Sequence, residues 1–149
     1  MILSILRHGV FWSMLSITIA YSPVAAPEGG SAPVYQVWPI GWVRKHGDRT
    51  TIEIEESYLP AMLGLKDLEA IWVLYWFDRN DTAERRSILQ VHPRRNPDNP
   101  IRGVFATRAP VRPNLIALSR CRVLAVHGTT IEIDGIDAFA DTPVLDIKP

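Results

Sequence analysis

The chain has 149 residues, 47% of them hydrophobic, with 16 basic and 16 acidic side chains and a formal net charge of zero. That length suits one domain large enough to bury a real core and leaves no room for a second, and zero net charge argues against a chain that coats nucleic acid without selectivity. The single cysteine, Cys121, excludes an internal disulfide framework and any paired-cysteine metal site.

From the N-terminus, residues 1–26 read as a signal peptide: Arg7 and His8, a mostly apolar stretch over 10–20, then Val24, Ala25 and Ala26 as a small-residue cleavage region. The apolar stretch is too short for a stable membrane span. Residues 27–33, rich in Gly, Ser and Pro, form a linker, and 34–149 form the domain. A chain whose leader is used would be periplasmic or secreted; one whose leader is not used would be cytoplasmic. Strands are expected over 34–44, 50–55, 70–77, 88–92, 102–107, 116–126, 130–134 and 144–147. The strict alternation of Thr51-Ile52-Glu53-Ile54-Glu55 and Thr130-Ile131-Glu132-Ile133-Asp134 suits half-exposed strands. The continuous run Ile71 to Phe77 suits a strand covered on both faces. A short helix is expected over 56–65, with Pro60 near its first turn, and His127-Gly128 marks a tight turn. Cys121, inside the apolar run 118–126, is expected to be a small buried residue. Twelve prolines and many short strands predict a mainly β fold, a small closed or nearly closed β-barrel with one or two short helices. No GxGxxG loop joins a strand to a helix, so the doubly wound cofactor fold has no support.

Charge is unevenly placed. Residues 79–122 hold ten arginines against Asp81, Glu84 and Asp98, whereas 123–149 hold five acids against Lys148. A neutral chain with a basic central third can present a positive face to an anionic partner. Within it, Arg102-Gly103-Val104-Phe105-Ala106-Thr107-Arg108-Ala109-Pro110-Val111-Arg112-Pro113-Asn114 sets three arginines and two prolines around a short apolar strand. Guanidinium forks on a proline-stiffened turn suit phosphates and nucleic-acid backbones, and a packed core has no use for them.

With Leu115-Ile116-Ala117-Leu118-Ser119, this segment resembles the RxGVFATRSPxRPNPIGxS signature of TsaA-like, or TrmO-type, proteins. Pro39-Ile40-Gly41-Trp42-Val43-Arg44 resembles that family's opening IGxVR strand, and residues 134–149 resemble its closing GLDxLDGTPVLDIKPY. The resemblance implies a dimerising β-barrel that uses S-adenosylmethionine to methylate the exocyclic amine of the adenine, threonylcarbamoyl-modified, beside the tRNA anticodon. It also implies a tRNA partner, a homodimer and cofactor contacts at Lys45, His46, Gly47, Glu69, Ala70, Ile101, Arg102, Val111, Asp134, Gly135, Ile136 and Asp137. The chain departs from the family pattern at Glu69, Ala70, Asp78, Leu115 and Ala117.

Methyl transfer from a sulfonium is an in-line displacement in which an enzyme contributes mainly alignment. The adenine amine must lose a proton, so a nearby carboxylate could accept it; Asp137 is the catalytic candidate and Asp134 the second choice. The competing role for Asp137 is capping a turn. Arg108, Arg112 and Asn114 are the candidates for phosphate or base contact, with Arg94 and Arg95 at the rim; an ion pair between subunits is the competing role for Arg108 or Arg112. Trp38 and Trp42 are the tryptophans with scope to stack on a base, while Trp72 and Trp76 suit packing. The four histidines show no metal-ligand spacing and no serine lies in a GxSxG elbow, so neither a metal nor a covalent nucleophile is expected. An exported, noncatalytic module binding an anionic ligand or partner is the alternative function.

Overall fold

The computed structural model describes residues 33–149; the leader expected over 1–26, and all of the 27–33 linker except Pro33, lie outside the described residues. Residues 33–39 have no regular structure, so the strand expected from residue 34 begins later, as β1 (Gly41–His46). Two causes combine. Pro39 has no N–H to enter a ladder, and Val34, Tyr35, Val37 and Trp38 are 86%, 86%, 56% and 66% exposed, with no buried face to set an alternation. Pairing starts at Ile40, whose N–H donates to the Val144 carbonyl at 2.8 Å.

A turn with Gly47 at φ 57° leads into β2 (Arg49–Ile54), paired with β1 in the register Val43 to Ile52. The helix expected over 56–65 is not an α-helix. It is two 3-10 turns, Glu56–Met62 and Leu65–Asp67, separated by Gly64 at φ 85°. Pro60 removes a donor inside the first turn, and left-handed Gly64 stops it.

Strand β3 (Ala70–Trp76) buries Ile71, Val73 and Tyr75 and leaves Trp72, Leu74 and Trp76 half-buried. Cover on both faces therefore needs correcting, because one closed barrel has a packed interior and an outer face that nothing need cover. The expected strands over 88–92 and 102–107 shrink to β4 (Gln90–Val91) and β5 (Arg102–Gly103), which pair only with each other beside the short helix α1 (Ala83–Ser87). Beyond Gly103 the chain curls into a 3-10 turn over Val104–Ala106, where the Thr107 N–H and hydroxyl both donate to the Val104 carbonyl. The long β6 (Ile116–His127), β7 (Thr130–Ile133) and β8 (Pro143–Lys148) complete the fold.

Six strands close an antiparallel barrel in the order β1-β2-β7-β6-β3-β8. Val43, Ile52, Ile71, Val73, Ile131 and Val144 are fully buried inside it. β6 closes the barrel by pairing its first half with β3 and its second with β7, with a register shift between Val123 and Ala125. A second shift falls opposite Leu74 and Tyr75, where β8 passes from Asp146 to Val144 and leaves Leu145 as the extra residue, so the alternation of β3 runs unbroken to Tyr75. Cys121 is 1% exposed, and burial, with the Asp134 charge adding, pushes its thiol up to about 11, as befits an inert core residue. Among the described residues no helix is long and apolar enough to cross a membrane.

Gly41 lets the barrel close where β1 meets β2. A methyl group there would lie 2.2 Å from the Glu53 carbonyl oxygen, a backbone atom unable to swing aside. Gly41→Ala is therefore expected to cost about 2–3 kcal/mol in chemical denaturation, whereas Ala at Gly103, with its nearest neighbour 4.0 Å away, should be tolerated.

Candidate functional site

The strand directions gather the end of β3, the starts of β6 and β8, and the loop between β7 and β8 at one mouth of the barrel. A cavity of about 490 Å³ opens there, and Arg108, Arg112 and Asp137, three of the residues singled out in the sequence, line it together. Four arginines line it (Arg79, Arg95, Arg108, Arg112) against two acids, Asp78 and Asp137. Among the described residues none of the four arginines forms an ion pair with a carboxylate. Guanidinium groups left unneutralised around a concave surface are set for an anion brought from outside.

The arginine loop is pinned at both ends by burial. Val104 is 1% exposed and Leu115 is 0% exposed. Between them the Val104 carbonyl also accepts from Arg112 Nη2 at 3.1 Å, Thr107 Oγ1 accepts from Ala109 N at 3.2 Å, and the Pro113 carbonyl accepts from Arg86 Nη1 at 2.9 Å. Pro110 and Pro113 remove torsional freedom from what remains. Arg112 is thus fixed by its own loop, while Arg108 is exposed and makes no hydrogen bond within the described residues. Asn114, also exposed, stands beside this lining and outside it.

The loop from Asp134 to Thr142 is held as firmly. Tyr75 donates its phenol to the Asp137 carbonyl at 2.8 Å, Lys45 Nζ donates to the Ile136 carbonyl at 3.2 Å, and Asp141 N–H donates to the Val43 carbonyl at 2.8 Å. Arg44, bonded to Glu53 at 2.8 Å, also pairs with Asp141. These contacts fix the backbone and leave the Asp137 carboxylate exposed, without a hydrogen bond or ion pair among the described residues. Asp134 is engaged structurally, across to β6, where its Oδ1 accepts from Arg122 N at 2.8 Å.

Tyr75 is a residue the sequence reading passed over. Period-2 alternation from Ile71 turns it inward, and an inward phenol at a strand end needs a polar partner. Its hydroxyl is 3.2 Å from Ser119 Oγ. Burial raises its pKa, the Asp137 charge adds to the rise and the Ser119 bond opposes it. Arg79 and Phe139 were missed as well; the guanidinium sits 4.0 Å from the ring centroid and joins the turn after β3 to the loop before β8.

Other expected contacts form a second group. Val123 N–H donates to the Glu69 carbonyl at 3.0 Å, Ala70 pairs with Arg122, and Arg122 bonds Asp134, so Glu69, Ala70 and Asp134 meet on one flank. Lys45 reaches that flank through Ile136, with His46 and Gly47 following at the turn between β1 and β2. Ile101 and Arg102 are exposed at β5 and Val111 lies in the arginine loop, and no hydrogen bond links these three to the flank. Among the described residues no cluster of three or more His, Cys, Asp or Glu could hold a metal ion.

Arg94 and Arg95 stand at φ 59° and 55°, a left-handed conformation costly for a side chain with a Cβ. The Asn99 carbonyl 2.7 Å from His92 Nδ1, and the Asn99 side-chain amide donating to the Pro93 carbonyl at 2.8 Å, hold the turn in that state and present Arg95 to the cavity. Arg94, outside the lining, gains nothing from the strain. Arg94→Gly is expected to raise stability by about 0.5–1 kcal/mol, read as an increase in Tm. Arg95→Gly should relieve strain similarly while removing a cation from the mouth.

The profile of the tRNA-methyltransferase O N-terminal domain family matches residues 37–149. A probable S-adenosyl-L-methionine-binding protein of Methanocaldococcus jannaschii is 43% identical over 77% of this chain and 91% of its own length. A mouse tRNA (adenine(37)-N6)-methyltransferase is 37% identical over 60% of this chain and 20% of its own length. The crystal structure of TrmO from Pseudomonas aeruginosa superposes with a TM-score of 0.59 at 28% identity, over 78% of this chain and 56% of that one. The chain thus spans little more than half of the solved TrmO chain and a fifth of the mouse enzyme.

Proposed function

The chain belongs to the tRNA-methyltransferase O N-terminal domain family, and from that premise we propose that it is an S-adenosylmethionine-dependent methyltransferase acting on the exocyclic amine of the adenine beside the tRNA anticodon, in its threonylcarbamoyl-modified form. The observation that carries this reading is the single mouth lined by Asp137, Arg108 and Arg112. A free carboxylate can take the amine's proton only if the RNA is held beside it, and cations in the same cavity supply that hold.

The residues present suit the cofactor's chemistry. A sulfonium and an ammonium call for carboxylates, which Glu69 and Asp134 offer on the flank, and an adenine calls for partly apolar walls, which Ala70 and Ile136 contribute. Lys45, His46, Gly47, Gly135 and Asp137 would complete the hold, with Ile101, Arg102 and Val111 as further contacts. When bound, S-adenosylmethionine supplies a methyl group activated by its positive sulfur. Asp137 accepts the departing N6 proton, and Tyr75 keeps the Asp137 backbone in place. Arg95, Arg108 and Arg112 grip phosphates, with Asn114 alongside, while Arg79 and Phe139 form a wall of the cavity.

Titration of the full chain with S-adenosylmethionine in a calorimeter is expected to give saturable heat; no heat at high cofactor concentration overturns the proposal. The same reading includes a homodimer, as the resemblance implies, and sedimentation at the mass of one chain would contradict it. It also includes a cytoplasmic location, since tRNA and cofactor are met there. A native N-terminus near Ala26 or Pro27 in an exported fraction would favour the noncatalytic, anion-binding alternative.

A further inference from the structure

A second cavity, of about 500 Å³, lies beside the mouth, between the irregular segment 33–39 and the start of β8. Tyr35, Trp38, Pro39, Trp76, Pro143 and Leu145 are among its lining residues, and Trp76 also lines the arginine-rich mouth, so this residue is common to both walls. Trp76 is held fast: Nε1 donates to Asp81 at 3.1 Å, and the Arg86 guanidinium lies 5.3 Å from the ring centroid and is itself bonded to Asp81 at 2.8 Å. Tyr35 and Trp38, at 86% and 66% exposure, leave their rings open to solvent on the far side.

We propose that this groove is a stacking platform for the nucleobases that flank the target adenine, an inference that rests on the RNA reading of the mouth. Exposed aromatic rings alone would be an unassigned apolar patch. Beside a cavity lined by four arginines without carboxylate partners, they complete the pairing of cationic track and π faces that single-stranded nucleic acid requires. The phosphates lie over Arg95, Arg108 and Arg112, and the neighbouring base crosses Trp76 to reach Trp38. Gln36, also in the lining, offers an amide to a base edge. The rings also help free the target base, because a neighbour stacked on protein no longer holds the adenine in the RNA's own stack.

The test uses the full chain and an anticodon stem-loop. Trp38→Ala is expected to raise KM for the RNA about tenfold, leaving kcat and cofactor affinity as they were, and Trp38→Phe, which keeps a ring, should restore most of the loss. In parallel, 5-iodouridine placed beside the target adenine should photocross-link to Tyr35 or Trp38. Methyl transfer with an unchanged KM in Trp38→Ala, and cross-links confined to other residues, overturns the platform while leaving the proposed methyltransferase standing. Absence of methyl transfer to any RNA defeats the methyltransferase reading, yet a cross-link at Trp38 would still support the platform. A Trp38→Ala protein whose only change is conversion from dimer to monomer assigns the groove to a second copy of the chain and also overturns the inference.

Discussion

Asp137→Asn is expected to lower kcat for methyl transfer to tRNA by at least about a hundredfold with little change in KM, because general-base assistance contributes about 10²–10⁴ in rate. The substitution keeps size and shape and removes only the charge that accepts a proton. Folding should be unaffected, since the Asp137 side chain makes no hydrogen bond within the described residues and only its carbonyl is engaged, by Tyr75. Tyr75→Phe should act through the same residue more weakly. It removes the phenol's bond to that carbonyl and leaves the carboxylate, so kcat falls while the pH profile keeps its shape. Single-turnover transfer of a tritiated methyl group, with pH profiles for both variants, would separate proton acceptor from positioning residue. Equal activity in Asp137→Asn would remove the carboxylate from the chemistry.

Replacing Arg108 and Arg112 together is expected to weaken tRNA binding about a hundredfold and flatten its salt dependence, each lost phosphate contact reducing the slope of log K against log salt by about 0.7–1. The two sites should differ in a second readout. Arg112 also donates to the Val104 carbonyl, so its loss should loosen the loop and lower Tm slightly, whereas Arg108, bonded to nothing within the described residues, should cost only binding. Filter binding across a salt series checks the first statement and thermal denaturation the second. A double variant with unchanged salt slope would mean that these guanidinium groups do not meet phosphate.

Much of the fold was legible because its determinants are local. Alternation in Thr51 to Glu55 and Thr130 to Asp134 located β2 and β7 to within one residue, since a strand with one buried face writes its period into the sequence. Residues 34–38 misled for the converse reason: Val34, Tyr35, Val37 and Trp38 are apolar or aromatic, but their side chains face solvent, and a ladder needs a partner that the sequence does not show. Phe105 misled similarly. The GVFAT segment looks like a strand, yet the Val104 carbonyl is claimed by Thr107 and Arg112, contacts that depend on where the chain turns next.

For the candidate site, residue types were legible and groupings were not. Arg108, Arg112 and Asp137 could be singled out by chemistry, but their meeting at one mouth depends on strand order, with β6 running beside β3 and the loop after β7 crossing to β8. Tyr75 was hidden inside an apolar run. The left-handed pair Arg94 and Arg95 could not be read at all, because neither residue type favours that conformation and only the surrounding turn imposes it. The division of the expected cofactor contacts between a flank and β5 likewise follows from topology.

The central claim is that one mouth of this barrel holds the RNA and takes the proton from its adenine. The most direct test is nucleoside mass spectrometry of tRNA incubated with the full chain and labelled S-adenosylmethionine. The account predicts a single label on N6 of the adenine beside the anticodon, formed at least about a hundredfold more slowly with Asp137→Asn and reduced when Arg108 and Arg112 are replaced together. Label on another base, or an undiminished yield from both variants, would contradict it.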